Sequence, residues 1–388
     1  MKKNHSKYLL LLLPLVLVSC ASYSFDVPTF NVKGVTTKDN EYISCLSTFV
    51  TLKMYNKDQL DEVKNEFQDE LRNIHKVVDS YHDYNKLTTP NVYNINHSNE
   101  KTFVIDDILY SLIEDSIEMS ILSEGIFNFT MGSVIDLWKD QFESGLSTNV
   151  DPSKEELDEA LKSIVPYQKM KEVFILDKAS NTLTINYDET KPKPILNFGA
   201  ISKGYALDLT SDIFNPSYPA IISAGSSSIS FKGKYQLNNR DYYLINCREP
   251  NLKPSETNEE FVQLKIYDNT NISSSGDYEK FFYNQENILR HHILDPKTGY
   301  SNNYHASVMV ESKLDSYILD GLSTVLMNIE DIKDIDKMVS KFEEHFGSEI
   351  PYLVFDRDES NYTMYYSSNI ERQITNKMTS KITKKIKI

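Results

Sequence analysis

The chain has 388 residues and a formal net charge of −15, with 41 Lys and Arg against 56 Asp and Glu. That length gives room for one large domain or two ordinary ones with full cores, and the acidic balance, with no interior Lys/Arg stripe, excludes a nucleic-acid binder that works through the phosphate backbone. Only three cysteines are present, which excludes a disulfide-built scaffold, so the core must hold itself together by burial.

Lys2, Lys3 and Lys7 precede an apolar stretch from Tyr8 to Val18 that is too short to span a bilayer, the pattern of a targeting segment. It ends in Leu17-Val18-Ser19-Cys20, which resembles a bacterial lipobox, so residues 1–19 read as a lipoprotein signal peptide and Cys20 as the lipidated first residue of the mature chain. Such an anchor puts the protein on the extracytoplasmic face of a bacterial cell membrane, the periplasmic side if there are two membranes. Cys45 and Cys247 then remain, enough for one disulfide. Residues 20–40 are polar and irregular and read as a linker from lipid to domain, with the domain itself over 41–365.

The first strand is expected over Ser47 to Tyr55, where polar and apolar residues alternate, followed by a helix over Gln59 to Tyr81 with Leu60, Val63, Phe67, Leu71, Ile74, Val77 and Val78 at helical spacing. A second helix is expected from Ile105 to Glu124, stopped at Gly125. An acidic amphipathic stretch covers Asp151 to Ile164, and Val173 to Ile185 reads as a hairpin turning at Ala179-Ser180-Asn181. Strands recur at Asp241–Asn246, Val262–Tyr267 and His305–Val310, and Leu314 to Ile329 carries a helical apolar stripe. This mixed order predicts an α+β fold, mixed and antiparallel sheets packed with helices, in a single catalytic unit with two lobes as the alternative subdivision. Residues 366–388 read as a basic tail, a frayed solubilising terminus or a contact for an anionic membrane surface.

Six segments could carry chemistry. His291-His292-Ile293-Leu294-Asp295-Pro296-Lys297-Thr298-Gly299-Tyr300 packs two imidazoles, a carboxylate and a Pro/Gly-bounded turn together; a loop of this kind carries catalytic groups, and alone it is equally a hairpin turn with surface histidines. Ile195 to Asp208 reads as an apolar strand, a glycine turn and a helix, which places backbone N–H groups and Lys203 where a phosphate could bind, or is a plain strand-to-helix connection. Ala224-Gly225-Ser226-Ser227-Ser228 and Ser273-Ser274-Ser275-Gly276 end probable strands in hydroxyl-rich turns. Asp320 and Thr324 lie four apart on one helix face, a carboxylate and a hydroxyl suited to a hard cation such as Mg²⁺, or a simple surface pair. Phe127 to Ser133, leading toward the lone Trp138, could receive a flat ring or pack the core.

In this order the segments resemble the ApbE family, the FAD:protein FMN transferases. The resemblance spans roughly Tyr42 to Ile329. It is carried by Ser47-Thr48, Gly125-Ile126-Phe127-Asn128-Phe129-Thr130-Met131-Gly132, Gly199-Ala200-Ile201-Ser202-Lys203-Gly204-Tyr205-Ala206-Leu207-Asp208, Ala224-Gly225, Ser275-Gly276-Asp277-Tyr278, His292-Ile293-Leu294-Asp295-Pro296-Lys297-Thr298-Gly299 and Asp320-Gly321-Leu322-Ser323-Thr324.

What the resemblance implies is an ApbE-like, T-fold-like enzyme that depends on a divalent cation, Mg²⁺ or another. It would take FAD as substrate, transfer FMN to a Ser/Thr hydroxyl of a partner flavoprotein and release AMP. Metal ligands carry over to the backbone carbonyl of Ala200 and to Asp320 and Thr324. FAD contacts carry over to Leu46, Tyr84, Thr130, Met131, Gly132, Asn197, Lys203 and Ile293. His292 is the residue expected to accept the hydroxyl proton. Two positions depart from the family pattern: Ser223-Ala224-Gly225-Ser226 replaces Asn-x-Gly-Gly, and Asn197 replaces the Asp that usually opens the lysine motif. Hydrolysis of FAD to FMN and AMP, and flavin capture by a non-catalytic lipoprotein, are the competing readings.

Overall fold

A computed structural model describes residues 27–142, 148–215, 217–233, 240–250 and 261–388. The lipobox and Cys20 lie outside the described residues.

One sheet organises the described chain. Its nine strands lie side by side in chain order: β1 Thr29–Asn31, β2 Val50–Met54, β3 Ala220–Ala224, β4 Ser228–Lys232, β5 Thr270–Gly276, β6 Ser307–Ser312, β7 Tyr352–Asp358, β8 Asn361–Tyr366 and β9 Ile382–Lys387. Every neighbouring pair is antiparallel except β8 with β9. Register ties Leu52 to Ile222, Ile222 to Ser230, Ser273 to Ser228 and Val310, and Val308 to Val354. The fold is α+β, antiparallel sheets packed with helices, as expected.

Pleating sends successive side chains to opposite faces, and both faces are covered. Val308, Val310 and Val354 join the larger core on the helical side, while their neighbours Met309, Leu353 and Phe355 join a second core under a three-stranded sheet made of Tyr243–Cys247, Val262–Ile266 and Ile374–Met378. Burial on two faces explains why Tyr352 to Phe355 reads as an unbroken apolar run rather than an alternating one.

Six helices matter for the site: α1 Lys57–Val78, α2 Asp107–Leu122, α3 Gly132–Phe142, α4 Ser202–Ser211, α5 Ser316–Met327 and α6 Ile332–Phe346. Asn56 caps α1 by accepting from the Asp58 and Gln59 amides, and Asp106 caps α2 through Ile108. A left-handed Gly347 closes α6. The predicted hairpin is present as Phe174–Asp177 against Thr182–Ile185.

Two expected boundaries are corrected. Residues 29–40 are not a free linker: Phe30 registers with Leu52 in the main sheet, and Val35 is fully buried. Residues 366–388 are not a frayed tail: Ile374–Met378 pairs with Val262–Ile266, and β9 pairs with β8. Lys377, Lys384, Lys385 and Lys387 on these strands are exposed, while Ile382 enters the second core. Cys45 and Cys247 are both free thiols, so the disulfide does not form.

Candidate active site

The site grows from the contact between α4 and α5. Gly204 is the reason they approach so closely: a Cβ there would stand 2.3 Å from the Ser316 carbonyl oxygen and 2.7 Å from Tyr317 Cα. Asp208, one turn further along α4, accepts from the Ser316 amide at 2.7 Å and the Tyr317 amide at 2.9 Å, capping α5 from a neighbouring helix. Burial pushes the Asp208 carboxyl up to about 7 even though those two amides favour its charged form.

So fixed, α5 points Asp320 at the start of α4. Asp320 Oδ2 accepts from the Gly204 amide at 3.0 Å. Its Oδ1 lies 3.2 Å from Ser228 Oγ on β4, 3.4 Å from Ser273 Oγ on β5 and 3.4 Å from Lys203 Nζ. The carboxylate is buried, and it is surrounded by donors and by the positive end of α4. Lys203 Nζ also donates to the Gly199 carbonyl at 3.2 Å, so one ammonium sits between two oxygens of the segments expected to hold a cation. Ala200 lies beside that carbonyl, half-buried, and Thr324 Oγ1 donates to the Asp320 carbonyl one turn back at 3.3 Å. Thus Asp320, Lys203, Thr324 and the Gly199-Ala200 turn are brought together.

Asn197 opens this turn. Its Oδ1 accepts from the Gly199 amide at 2.9 Å, and its Nδ2 donates to Ser80 Oγ at 3.2 Å and to the Tyr81 hydroxyl at 3.0 Å. Asn197 thus both accepts and donates here, where the Asp of the family pattern would accept only, from the same amide and from the two hydroxyls turned as donors. Tyr81, half-buried with Lys139 Nζ 4.1 Å over its ring, is a residue the sequence reading passed over. Segment 129–132 runs alongside: Asn197 N donates to the Phe129 carbonyl at 2.8 Å and Gly132 N to the Ile195 carbonyl at 2.9 Å.

His292 is exposed, at the end of a two-stranded ribbon formed by Phe281–Tyr283 and Leu289–His291. An imidazole open to solvent is already mostly neutral at pH 7, and the positive charges of Lys280 and Lys203 nearby favour that form. It is therefore neutral near pH 7, the form that can accept a proton. His291 is an internal strut: fully buried, its Nε2 donates to the Asn302 carbonyl at 2.8 Å and its Nδ1 accepts from the Ile293 amide at 3.3 Å.

Other expected residues serve the scaffold. Thr130 is fully buried, its hydroxyl spent on Asn128 Oδ1 at 2.7 Å and on the Val165 amide at 2.9 Å, so that side chain is not turned to a ligand. Tyr84 is buried too, with its hydroxyl bonded to Asp79 and His75 rather than facing the site. Asp295, which the sequence reading grouped with the histidines, closes its own turn by accepting from the Lys297 amide at 2.9 Å and, through its carbonyl, from the Gly299 amide at 2.8 Å. Met131, Gly132 and Ile293 are buried beside the site. Leu46 stands in a left-handed turn, φ 53° and ψ 27°.

Asp208, Ser228 and Ser273 lie within segments notable for their glycines and hydroxyls, and Tyr81 at the end of the expected first helix, but nothing in their spacing assigns them a partner. Their roles follow from which strands and helices become neighbours.

Residues 46–346 match the ApbE family. The FAD:protein FMN transferase of Vibrio cholerae serotype O1 is 24% identical over 301 residues, covering 77% of this chain and 82% of that protein. The protein of the same name from Haemophilus influenzae is 24% identical over 227 residues, 58% of this chain and 61% of that one. Among solved structures, the ApbE protein of Thermotoga maritima superposes with a TM-score of 0.65 at 23% identity, covering 84% of this chain and 94% of that one. The flavin transferase ApbE of Vibrio cholerae gives a TM-score of 0.64 at 20% identity, covering 89% and 99%. With the family match running from the left-handed turn at Leu46 through the helix that carries Asp320 and on to the end of α6, this chain belongs to the ApbE family.

Proposed function

We propose that this protein is an FAD:protein FMN transferase that moves FMN from FAD to a Ser or Thr hydroxyl of a partner flavoprotein and releases AMP. The observation that carries the reading is the Asp320 carboxylate held between Lys203, the Gly204 amide and two serine hydroxyls, at the start of a helix. A helix N-terminus with an ammonium beside it favours a diphosphate, and the neutral His292 stands ready for a proton. In the step, the acceptor oxygen bonds to the FMN phosphorus, its proton passes to the His292 imidazole, and the bond from phosphorus to the bridging oxygen breaks, so that AMP leaves with that oxygen.

The donor set fits a divalent cation. Among the described residues no group of three His, Cys, Asp or Glu side chains is placed to hold a metal, so a cation here would rest on Asp320, the Thr324 hydroxyl, the Ala200 carbonyl and phosphate oxygens. Oxygen-only ligation with a single carboxylate suits Mg²⁺, and Lys203 already marks the spot as one where oxygens converge on positive charge. Bound there, the cation would act as a Lewis acid on the diphosphate. Lys203 and the α4 amides orient the phosphates, and Asn197 with Tyr81 shapes the wall beside them.

The Lys-rich start of the chain and Cys20 support a lipid-anchored protein facing outward from the cell membrane. Among the described residues no helix is long and apolar enough to cross a membrane.

Incubation with FAD and Mg²⁺, with and without an acceptor flavoprotein, tests the assignment by chromatography of AMP and in-gel flavin fluorescence. AMP release that requires the acceptor, together with a fluorescent acceptor band, is expected. AMP at the same rate without acceptor would replace transfer by hydrolysis.

A further inference from the structure

The turn Cys45–Ser47 enters β2 through two successive non-glycine residues in the left-handed region, Leu46 and Ser47, each at φ 53°. Such residues cost on the order of 1 kcal/mol each and persist only where surroundings enforce them. The enforcement is visible. The Leu46 amide donates to His75 Nδ1 at 3.1 Å, from the last turn of α1. On its other edge His75 Nε2 lies 3.0 Å from the Tyr84 hydroxyl, and that hydroxyl donates in turn to Asp79 Oδ2 at 2.5 Å. His75, Asp79 and Tyr84 are all buried.

The partners fix the proton positions. Leu46 N–H can only donate, so His75 Nδ1 carries no hydrogen, and Nε2 must then carry one and give it to Tyr84. Tyr84 passes its own hydrogen to Asp79, which accepts also from the Tyr81 amide at 2.7 Å and meets His82 Nδ1 at 2.9 Å. The chain of donors runs one way, from Leu46 through His75 and Tyr84 to Asp79.

The turn it holds abuts the site. Thr48 lies so close to Gly225 that a Cβ there would stand 2.5 Å from Thr48 Oγ1, and the Gly225 amide donates to the Phe49 carbonyl at 2.8 Å. Gly225 begins the β3–β4 connection, and Ser228, at its far end, hydrogen-bonds Asp320.

We propose that His75 is a positioning residue for flavin binding: held as its Nε2–H tautomer by Tyr84 and Asp79, it fixes the strained Leu46–Ser47 turn and so shapes the rim of the site. The identity of the bound dinucleotide rests on the function proposed above; the tautomer and the turn do not. Burial holds the His75 pKa at about 4, opposed by Asp79 and aided by His82 and Lys76, so the arrangement persists at neutral pH; nearby, Tyr84 and Cys45 are themselves pushed up by burial, and the cations Arg72 and Lys76 act on Cys45 in the opposite sense.

Nitrogen-15 NMR of the imidazoles and hydrogen exchange of the Leu46 amide, both on the flavin-free protein, test the geometry. The KM for FAD tests its use. His75 should show a proton on Nε2 alone, with a slowly exchanging Leu46 amide. His75→Leu should speed that exchange and raise the KM for FAD roughly ten-fold or more, the consequence of freeing the strained turn by leaving its partly buried N–H without an acceptor, with kcat changed much less. His75→Asn, whose amide oxygen can stand where Nδ1 was, should recover most of the loss, and Tyr84→Phe, which frees the tautomer, should fall between. A proton on Nδ1, or an unchanged KM and Leu46 exchange rate in a folded His75→Leu protein, would overturn the proposal. Absence of any FAD turnover by the unaltered protein would count against the transferase instead, leaving the NMR and exchange results to decide on the turn.

Discussion

Replacing Gly204 by Ala tests whether the α4–α5 contact is what places Asp320. The added methyl would meet three backbone atoms, Ser316 O at 2.3 Å, Ser316 C at 2.5 Å and Tyr317 Cα at 2.7 Å, where ordinary contact begins near 3.4 Å. None is the end of a flexible side chain, so α5 must retreat by about 1 Å or the helices must splay. A shift of that size stretches the 3.0 Å bond from the Gly204 amide to Asp320 beyond hydrogen-bonding range and disturbs the two amides that Asp208 caps. Overpacking costs about 1–3 kcal/mol, and weakening bonds to a charged carboxylate costs about 1.5–3 kcal/mol. Better helix propensity returns about 1 kcal/mol. The expected net loss is about 1.5–5 kcal/mol, read as a lower urea midpoint at unchanged slope, together with a fall in FAD turnover larger than the unfolded fraction explains. A Gly204→Ala protein with the unaltered midpoint and turnover would show that the α4–α5 contact does not place Asp320.

Glu311 on β6 is buried, and burial pushes its pKa up to about 7 against the opposing pull of Gln373 and Arg372. Its Oε1 accepts from Gln373 Nε2 at 2.7 Å, while Glu311 Oε2 and Gln373 Oε1 have no hydrogen-bond partner, so a proton on the carboxyl serves both. With the folded pKa above the unfolded one, this group's stabilisation is complete below about pH 4.5 and is lost as pH rises through 7; Glu311→Gln should flatten that slope in thermal melts, and equal slopes in the two proteins would contradict the assignment. Asp208→Ala should lower thermal stability and reduce turnover together, because α5 loses its cap; a change in neither would show that the cap does not position Asp320. Cys20→Ala should move the protein from the membrane fraction to the soluble fraction on cell fractionation, and unchanged membrane recovery would argue against a lipid anchor.

Much of the fold was legible because periodicity reports burial directly. The stripe Leu60, Val63, Phe67, Leu71 and Ile74 is the buried face of α1, and Val50, Leu52 and Met54 are the buried face of β2. The C-terminal strands escaped because edge strands defend themselves with lysine, which in a sequence looks like a solubilising tail; Lys384 and Lys385 face outward while Ile382 packs. In the site, Asp320, Thr324, Lys203 and the Gly199-Ala200 turn were found from residue type and order, and the structure gathers them. Asp295 and Thr130 look like chemistry in sequence but close a local turn and brace a buried segment, since a short polar side chain serves its own backbone as readily as a ligand. Gly204, Asp208 and Ser228 act on partners about one hundred residues away, and a single sequence carries no signal for such pairings.

In the proposed function, transfer of FMN to a protein hydroxyl depends on the Asp320 site. Mass spectrometry of an acceptor flavoprotein after incubation with FAD, Mg²⁺ and either the unaltered protein or Asp320→Ala tests it most directly. One FMN on one Ser or Thr, with one AMP released, is predicted for the unaltered protein, and none for a folded Asp320→Ala. Equal modification by both proteins, or AMP released while the acceptor keeps its original mass, would contradict it.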